Sequence, residues 1–373
     1  MKKMKVALIG SGMISDIYLK NLKSFNAIEL VGCSDIIPER SKAKAEKHGI
    51  RQMTNEEIFS DPTIELVVNT TYPLAHYDVS KQALEAGKHV YCEKMTTETI
   101  EQANELIALA ESKGLFIGGA PDTFLDGSTQ LARQIIESGI VGTPVMVDAM
   151  LSRSYHHERN YLGSEKRFAF HRHGGIIFDM GSYYLTEMVF LLGAIKRVSG
   201  FAQIRDPERT YMNPKCPMFG QQMLVESWNN ATGSLEFESG SLGHLTITSE
   251  GGSTTNRFVI YCTDGRIDLG DPNNYENVVK VYNKKGDESI IHTPFAFNAN
   301  DNRAIGILDA VYAIKNGRKP RCNAELNRHV LEAALGICES GKSGAVYNMT
   351  TTCERPEPLK PGYTEYPELV FDL

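Results

Sequence analysis

Val6-Ala7-Leu8-Ile9-Gly10-Ser11-Gly12-Met13-Ile14-Ser15 decides how the rest of the chain is read. Its apolar start makes a short buried strand, and Gly10 and Gly12 break it. An amphipathic run from Ile14 to Phe25 follows, so the stretch reads as strand, tight turn and helix. That is the entry to a mononucleotide-binding βαβ unit. Gly10 permits the turn, and Gly12 lets a pyrophosphate come close to the backbone. The helix turns its unpaired N–H groups and positive dipole end to that anion. Ser11, Met13 and Ile14 complete the turn. Ser15 stands where a third glycine or alanine is usual, and is small enough for close helix–strand packing. A bare glycine turn fits a purely structural βα loop equally well. The next strand, Ile28 to Ser34, ends in Asp35, about 20 residues on, where a carboxylate accepts both ribose hydroxyls of a dinucleotide. A solvated strand-end Asp is the competing reading.

A chain of 373 residues is too long for one ordinary core and implies two domains. With 42% hydrophobic and 23% charged residues the composition is that of a soluble globular protein. No apolar run reaches the ~20 residues that span a bilayer. Met1-Lys2-Lys3-Met4-Lys5 leads straight into the glycine turn, without the apolar segment and cleavage site of a signal peptide, so a cytoplasmic chain is expected. Cys33, Cys92, Cys216, Cys262, Cys322, Cys338 and Cys353 are scattered and lack CxxC spacing, which argues for reduced, mostly buried thiols. A net charge of −7 disfavours nucleic acid and anionic membranes as partners.

Short apolar strands alternate with helical patterns through the first third, the signature of a parallel, doubly wound sheet. Ile64 to Asn69, Lys88 to Cys92 and Leu115 to Gly118 read as strands, with helices over 39–47, 73–86 and 97–112. Residues 1–120 are therefore expected to form a Rossmann-type α/β domain, with 121–373 as a second, α+β domain. Ligands sit beyond the carboxyl ends of such strands, which carry Asn69-Thr70-Thr71, Glu93-Lys94 and Gly118-Gly119-Ala120. From Val145 the chain becomes strand-rich, with Met223 to Trp228 among the strands expected. Asn229-Asn230, Ser239-Gly240 and Asp264-Gly265 mark turns of a largely antiparallel sheet. Helices are expected over 129–138, 302–316 and 326–340, with a proline-rich surface tail from Thr350.

Two stretches carry candidate chemistry. In Tyr91-Cys92-Glu93-Lys94-Met95, a strand-end Lys94 can donate to a substrate oxygen and help lower the pKa of a reacting hydroxyl. By composition alone it is a surface lysine. In the run Gly174 to Thr186, apolar residues at Ile177, Met180, Tyr184, Met188 and Leu191 define one helix face. Asp179 and Tyr183, four apart, share another. A Tyr hydroxyl can shuttle a proton and a carboxylate can orient it; a packed Tyr beside a solvated Asp is the plain alternative. Gly181 costs about 1 kcal/mol against Ala, as expected where a nicotinamide or the facing domain packs closely. His156, His157, His171 and His173 lack ligand spacing and acidic or thiol partners, so no metal is expected. With Arg153, Arg159, Arg167 and Arg172 they read as a polar loop lining a pocket for a hydroxylated substrate, with a plain surface loop as the competing reading.

The ordered set identifies a family. Ala7-Leu8-Ile9-Gly10-Ser11-Gly12, Thr71-Tyr72-Pro73-Leu74-Ala75-His76 and Ala86-Gly87-Lys88-His89-Val90-Tyr91-Cys92-Glu93-Lys94 come first. Gly139-Ile140-Val141-Gly142-Thr143-Pro144 and the Gly-Gly…Asp-x-Gly-x-Tyr helix follow. Together, over nearly the whole chain, they resemble the glucose–fructose oxidoreductase / inositol dehydrogenase / rhizopine catabolism (Gfo/Idh/MocA) family. The resemblance implies a Rossmann domain for NAD or NADP, and a second domain whose large open sheet supplies the substrate pocket and the interface of a homodimer or homotetramer. It places Thr71, Tyr72, Pro73, His76, Glu93 and Lys94 beside the cofactor. It makes Lys94, Asp179 and Tyr183 catalytic, and Tyr183 takes the proton-transfer place that the glucose–fructose oxidoreductase branch gives to tyrosine. Lys94, Asp179 and Tyr183, with Arg172 and His173, would meet the substrate. Met95 stands in the place of the motif's proline, which fixes φ, so Lys94 is less firmly oriented than in a standard member. Ile36, not Arg, follows Asp35, which favours NAD; Arg40 and Lys42 keep NADP open.

The reading is hydride transfer between nicotinamide and a carbinol or carbonyl carbon of a sugar or polyol, with the Lys94 ammonium and the Tyr183 phenol meeting over one nicotinamide ring. Its rivals on the same fold are an NAD-dependent glycosidase and a noncatalytic dinucleotide-binding regulator. Lys94 with Asp179 and Tyr183 counts against the regulator, and Met95 slightly for it.

Overall fold

A computed structural model describes residues 2–154, 171–172 and 174–361. The chain divides into two units, one of Met1–Gln130, Pro294–Arg328 and Pro356–Leu373, the other of Leu131–Thr293 and His329–Arg355.

In the first unit, runs of aliphatic residues buried on both faces make a parallel sheet, as such runs do when helices cover both sides. Its strands are β1 (Met4–Ile9), β2 (Ile28–Ser34), β3 (Arg51–Gln52), β4 (Leu66–Asn69), β5 (His89–Cys92) and β6 (Ile117–Gly119). Their order is β3-β2-β1-β4-β5-β6, every pair parallel. Every residue of β4 is buried. The crossovers carry α1 (Ser15–Ser24), α2 (Pro38–His48), α3 (Asn55–Ser60), α4 (Pro73–Glu85) and α5 (Ile100–Ser112). Proline begins α2 and α4, where its missing N–H has no partner to lose. Strand order reverses between β1 and β4, which pair Ile9 with Asn69 at their carboxyl ends. That is the switch point where open α/β sheets bind ligands.

The second unit is built on a nine-stranded sheet. After α6 (Gly127–Ser138) come β7 (Pro144–Ser154), β8 (Ile195–Gln203), β9 (Glu208–Thr210), β10 (Gln222–Leu224), β11 (Asn230–Phe237) and β12 (Leu242–Thr248). Then follow β13 (Glu250–Cys262), β14 (Gly265–Leu269), β15 (Val279–Asn283), β16 (Glu288–Ile291) and β17 (Tyr347–Asn348). The large sheet runs β16-β15-β14-β13-β7-β12-β11-β8-β17, antiparallel but for the parallel β7–β12 pair. Alternate residues of β11 (Ala231, Gly233, Leu235, Phe237) are buried, the mark of a sheet covered on one face. Gly233 and Gly200 are the close points: a Cβ on either would press within 2.8 Å of Ile337, from the helix Ala324–Ser343.

Three local expectations are corrected. Met223 to Trp228 is not a strand of the large sheet. Only Gln222–Leu224 is extended, and it pairs with β9 in a separate two-stranded sheet around Tyr211, Cys216, Met223 and Val225. The helix read through Ile177–Leu191 is interrupted at Met180, which separates Ile176–Asp179 from Gly181–Leu192. The tail from Thr350 is tied down: Thr350 and Thr351 both donate to the Glu332 carboxylate, and Leu359 is buried. All seven cysteines are free, five of them buried. Among the described residues no helix is long and apolar enough to cross a membrane.

Candidate dinucleotide and catalytic site

The glycine turn leaves β1 at the switch point. Gly10 has φ +102°, and a Cβ there would lie 2.5 Å from the Thr70 carbonyl carbon and the Thr71 nitrogen. The turn is thus closed against the end of β4, and the Thr70 hydroxyl donates to the Gly10 carbonyl at 2.7 Å. Gly12 is the opposite case. A Cβ on it would meet no protein atom within 4 Å, so the backbone there is open to an incoming group. Ser15 is fully buried and donates to the Gly12 carbonyl at 2.7 Å, fixing the turn to the first residue of α1.

Asp35, half-buried past the end of β2, is held from both sides. Its Oδ2 accepts the Ser11 N–H at 2.7 Å and its Oδ1 the Ile37 N–H at 2.8 Å. A carboxylate has about four lone-pair sites, so capacity remains for two hydroxyl donors. Around this turn the side chains of Met13, Ile14, Ile36, Ile37, Tyr72 and Leu74 are exposed, apolar surface of the kind a flat ring covers. The turn, the open Gly12 backbone, the anchored carboxylate and the N-terminus of α1 fit a dinucleotide: diphosphate at Gly12, ribose hydroxyls at Asp35.

The ends of β4 and β5 are joined by a buried polar network. Asn69 accepts the Thr71 N–H and hydroxyl at 3.2 and 2.7 Å, and its own amide donates to the His76 carbonyl and the Ser80 hydroxyl. The His76 ring contacts the carbonyls of Met95 and Thr71. Burial holds this imidazole below its ordinary range, against both carbonyls and Glu93, while Lys94 adds to the lowering. Glu93 is buried and committed to protein donors, the Tyr18 hydroxyl at 2.6 Å and the Lys94 N–H at 3.1 Å. Lys94 is half-buried, and the peptide joining it to Met95 is cis. Tyr72 is exposed and Pro73 half-buried at the start of α4. The first unit therefore gathers Gly10, Ser11, Gly12, Met13, Ile14, Asp35, Thr71, Tyr72, Pro73, His76, Glu93 and Lys94 at the carboxyl ends of its strands.

Asp179 and Tyr183 belong to the second unit, Asp179 half-buried at the end of one short helix and Tyr183 buried in the first turn of the next. Gly175 is required just before them. A Cβ would strike the Trp228 carbonyl oxygen at 2.2 Å, and the Gly175 N–H donates to the Ser227 hydroxyl. Gly181 has no such constraint within its unit, where a Cβ would make ordinary contact with Ile177 at 3.4 Å. Beside them Arg153 pairs with buried Asp271, which also accepts the Tyr184 hydroxyl at 3.4 Å. Burial first, and then the Asp271 charge, push the Tyr184 phenol far above its usual range. Arg172 is exposed, and His171 faces Glu226 at 3.5 Å. His156, His157, Arg159, Arg167 and His173 lie outside the described residues. Among the described residues no group of three or more His, Cys, Asp or Glu could hold a metal ion. Sequence reasoning missed Tyr18, whose helical position carries no mark of its partner Glu93, and the Arg153–Asp271–Tyr184 cluster, joined only by the fold.

These features are those of an NAD-binding Rossmann fold. Residues 4–118 match the Gfo/Idh/MocA oxidoreductase family with an NAD-binding Rossmann fold, and residues 129–268 match the Gfo/Idh/MocA C-terminal domain. The chain belongs to the Gfo/Idh/MocA family. It is 32% identical to an uncharacterised oxidoreductase of Schizosaccharomyces pombe over 52% of this chain and 53% of the relative, so it spans about half the length of that relative. It is 27% identical to the D-glucoside 3-dehydrogenase of Escherichia coli over 64% of this chain and 68% of that one. A solved levoglucosan dehydrogenase in complex with NADH has the same fold, with TM-score 0.82 at 18% identity, covering 94% of this chain and all of the other.

Proposed function

We propose that this protein transfers hydride between a nicotinamide dinucleotide and a hydroxyl-bearing carbon of a sugar or polyol. The observation that carries the reading is the paired arrangement at the switch point. The Gly12 backbone is open where a diphosphate would lie, and the Asp35 carboxylate is anchored to the Ser11 amide where ribose hydroxyls would lie. The family supports a redox role, and the D-glucoside dehydrogenase among its relatives supports a sugar-like substrate. NAD is preferred to NADP. The Ile36 side chain beside Asp35 offers a 2′-phosphate no charge, and the carboxylate would repel it.

Bound NAD supplies the hydride acceptor, and the chain supplies the proton chemistry. Tyr183 takes the hydroxyl proton in the oxidation direction, and the Lys94 ammonium stabilises the charge developing on that oxygen. Asp179 orients Tyr183 or a neighbouring substrate hydroxyl, and Arg172 and His173 bind the rest of the substrate. The working form is a homodimer or homotetramer, as in the family.

The test is a panel of sugars and polyols with NAD and NADP, read by the absorbance of the reduced nicotinamide. At least one substrate should turn over with NAD. Lys94→Ala and Tyr183→Phe should then each lower kcat by ~10²–10⁴-fold with the NADH dissociation constant little changed. Lost NADH affinity with residual turnover in Lys94→Ala would overturn these roles.

A further inference from the structure

His76 lies in the first turn of α4 with 1% of its surface exposed, and both of its ring nitrogens face carbonyl oxygens. Nδ1 is 2.7 Å from the Met95 oxygen and Nε2 is 3.0 Å from the Thr71 oxygen. Carbonyl oxygens only accept, so each contact is a hydrogen bond only when that nitrogen carries a proton. A neutral imidazole has one N–H and an imidazolium has two. The charged groups acting on the ring are Glu93, which favours the imidazolium, and Lys94, which with burial favours the neutral form. In the neutral ring the shorter contact assigns the single proton to Nδ1, and so to Met95.

The two carbonyls are not equally dependent on this ring. Thr71 is also fixed through its N–H and hydroxyl to Asn69, at 3.2 and 2.7 Å. The Met95 carbonyl directly follows Lys94. We propose that His76 is a positioning residue for Lys94, its Nδ1–H holding the Met95 carbonyl and with it the turn from which the Lys94 side chain projects.

The proposal rests on the reading of Lys94 as catalytic only for its consequence, so the test reads Lys94 directly. Asn places an amide N–H near the Nδ1 position, Gln places one near Nε2, and Leu places none. Trace labelling of the full chain with acetic anhydride, quantified by mass spectrometry, reports the reactivity of Lys94 against Lys81 and Lys113 as internal references. His76→Asn should keep the Lys94 rate within about twofold of the parent, while His76→Gln shifts it by about fivefold or more, since neighbours and burial set amine reactivity. His76→Leu should shift it at least as far; should that variant not fold, the Asn–Gln comparison decides alone. With a substrate from the panel, His76→Gln should lower kcat more than it raises KM, and His76→Asn should restore kcat. Equal Lys94 labelling in the Asn and Gln variants would overturn the proposal, whether or not a redox substrate is found. Absence of NADH binding or turnover in the parent would instead overturn the functional reading alone.

Discussion

The α-carbon of Gly10 is packed so closely against Thr70 that a Cβ on it would lie 2.5 Å from the Thr70 carbonyl carbon. Gly10 is therefore needed twice over, for its positive φ and for the approach of β1 to β4. Gly12, two residues on, is needed for neither. Gly10→Ala should destabilise the protein by about 2–4 kcal/mol, the sum of left-handed strain and overpacking. Gly12→Ala should leave the urea midpoint nearly unchanged while weakening NADH binding by about tenfold or more, because its methyl fills space reserved for the diphosphate. Urea denaturation and NADH fluorescence titration separate the two effects. A Gly12→Ala variant that binds NADH as the parent does would remove the diphosphate from this turn.

A second consequence concerns pH. Asp122 is buried and accepts the N–H groups of Ala304 and Gly306 at the start of the helix Ile305–Asn316. Burial pushes its carboxyl up to about 6, although the two N–H groups and Arg303 favour the charged form. The folded value lies above the unfolded one, so the folded state binds the extra proton between about pH 4 and 6. Stability from this group is greatest below pH 4 and falls as pH rises to 6, by ~3 kcal/mol across that interval. Asp122→Asn removes the titration and keeps an acceptor for the two N–H groups. Denaturation midpoints from pH 4 to 7 should fall less steeply in the variant. Parallel curves would show that Asp122 titrates normally.

The parallel sheet and the dinucleotide turn were legible in the sequence because their causes are local. An apolar strand, two glycines and an amphipathic helix need no distant partner to be recognised. Helix α3 is not among the helices expected, although Thr54 and Glu57 give it a local signature, a capping box in which each side chain accepts the other's backbone N–H. The break at Met180 has none, since Ile177, Met180 and Tyr184 keep helical spacing across it. The long strand β13 begins eight residues before the apolar stretch Phe258–Cys262, with polar and glycine residues extended by pairing along β7. Its length is set by a neighbour roughly a hundred positions away. The site divides in the same way. The glycines, Asp35 and Lys94 are marked by residue type and spacing, whereas the contacts of His76 with the Thr71 and Met95 carbonyls are known only once strands β4 and β5 lie side by side.

Tyr18 and Glu93 make the clearest of those hidden partnerships, a 2.6 Å hydrogen bond with Tyr18 fully buried and Glu93 nearly so. It joins α1, which follows the glycine turn, to the residue just before Lys94. Tyr18→Phe preserves the ring's packing and deletes only the hydroxyl, leaving one oxygen of a buried carboxylate without that donor. The cost should be about 1.5–3 kcal/mol, the range for hydrogen bonds to charged groups. Glu93→Gln keeps an oxygen that can accept from Tyr18 and should cost less. Since both changes act on one bond, the double variant should be less destabilised than the sum of the two, by about 1 kcal/mol or more. Urea denaturation of the four proteins measures this coupling, and strict additivity would mean that the charge of Glu93 adds nothing to the bond. The same hydroxyl should matter to Lys94, so Tyr18→Phe is expected to lower kcat with little change in NADH affinity.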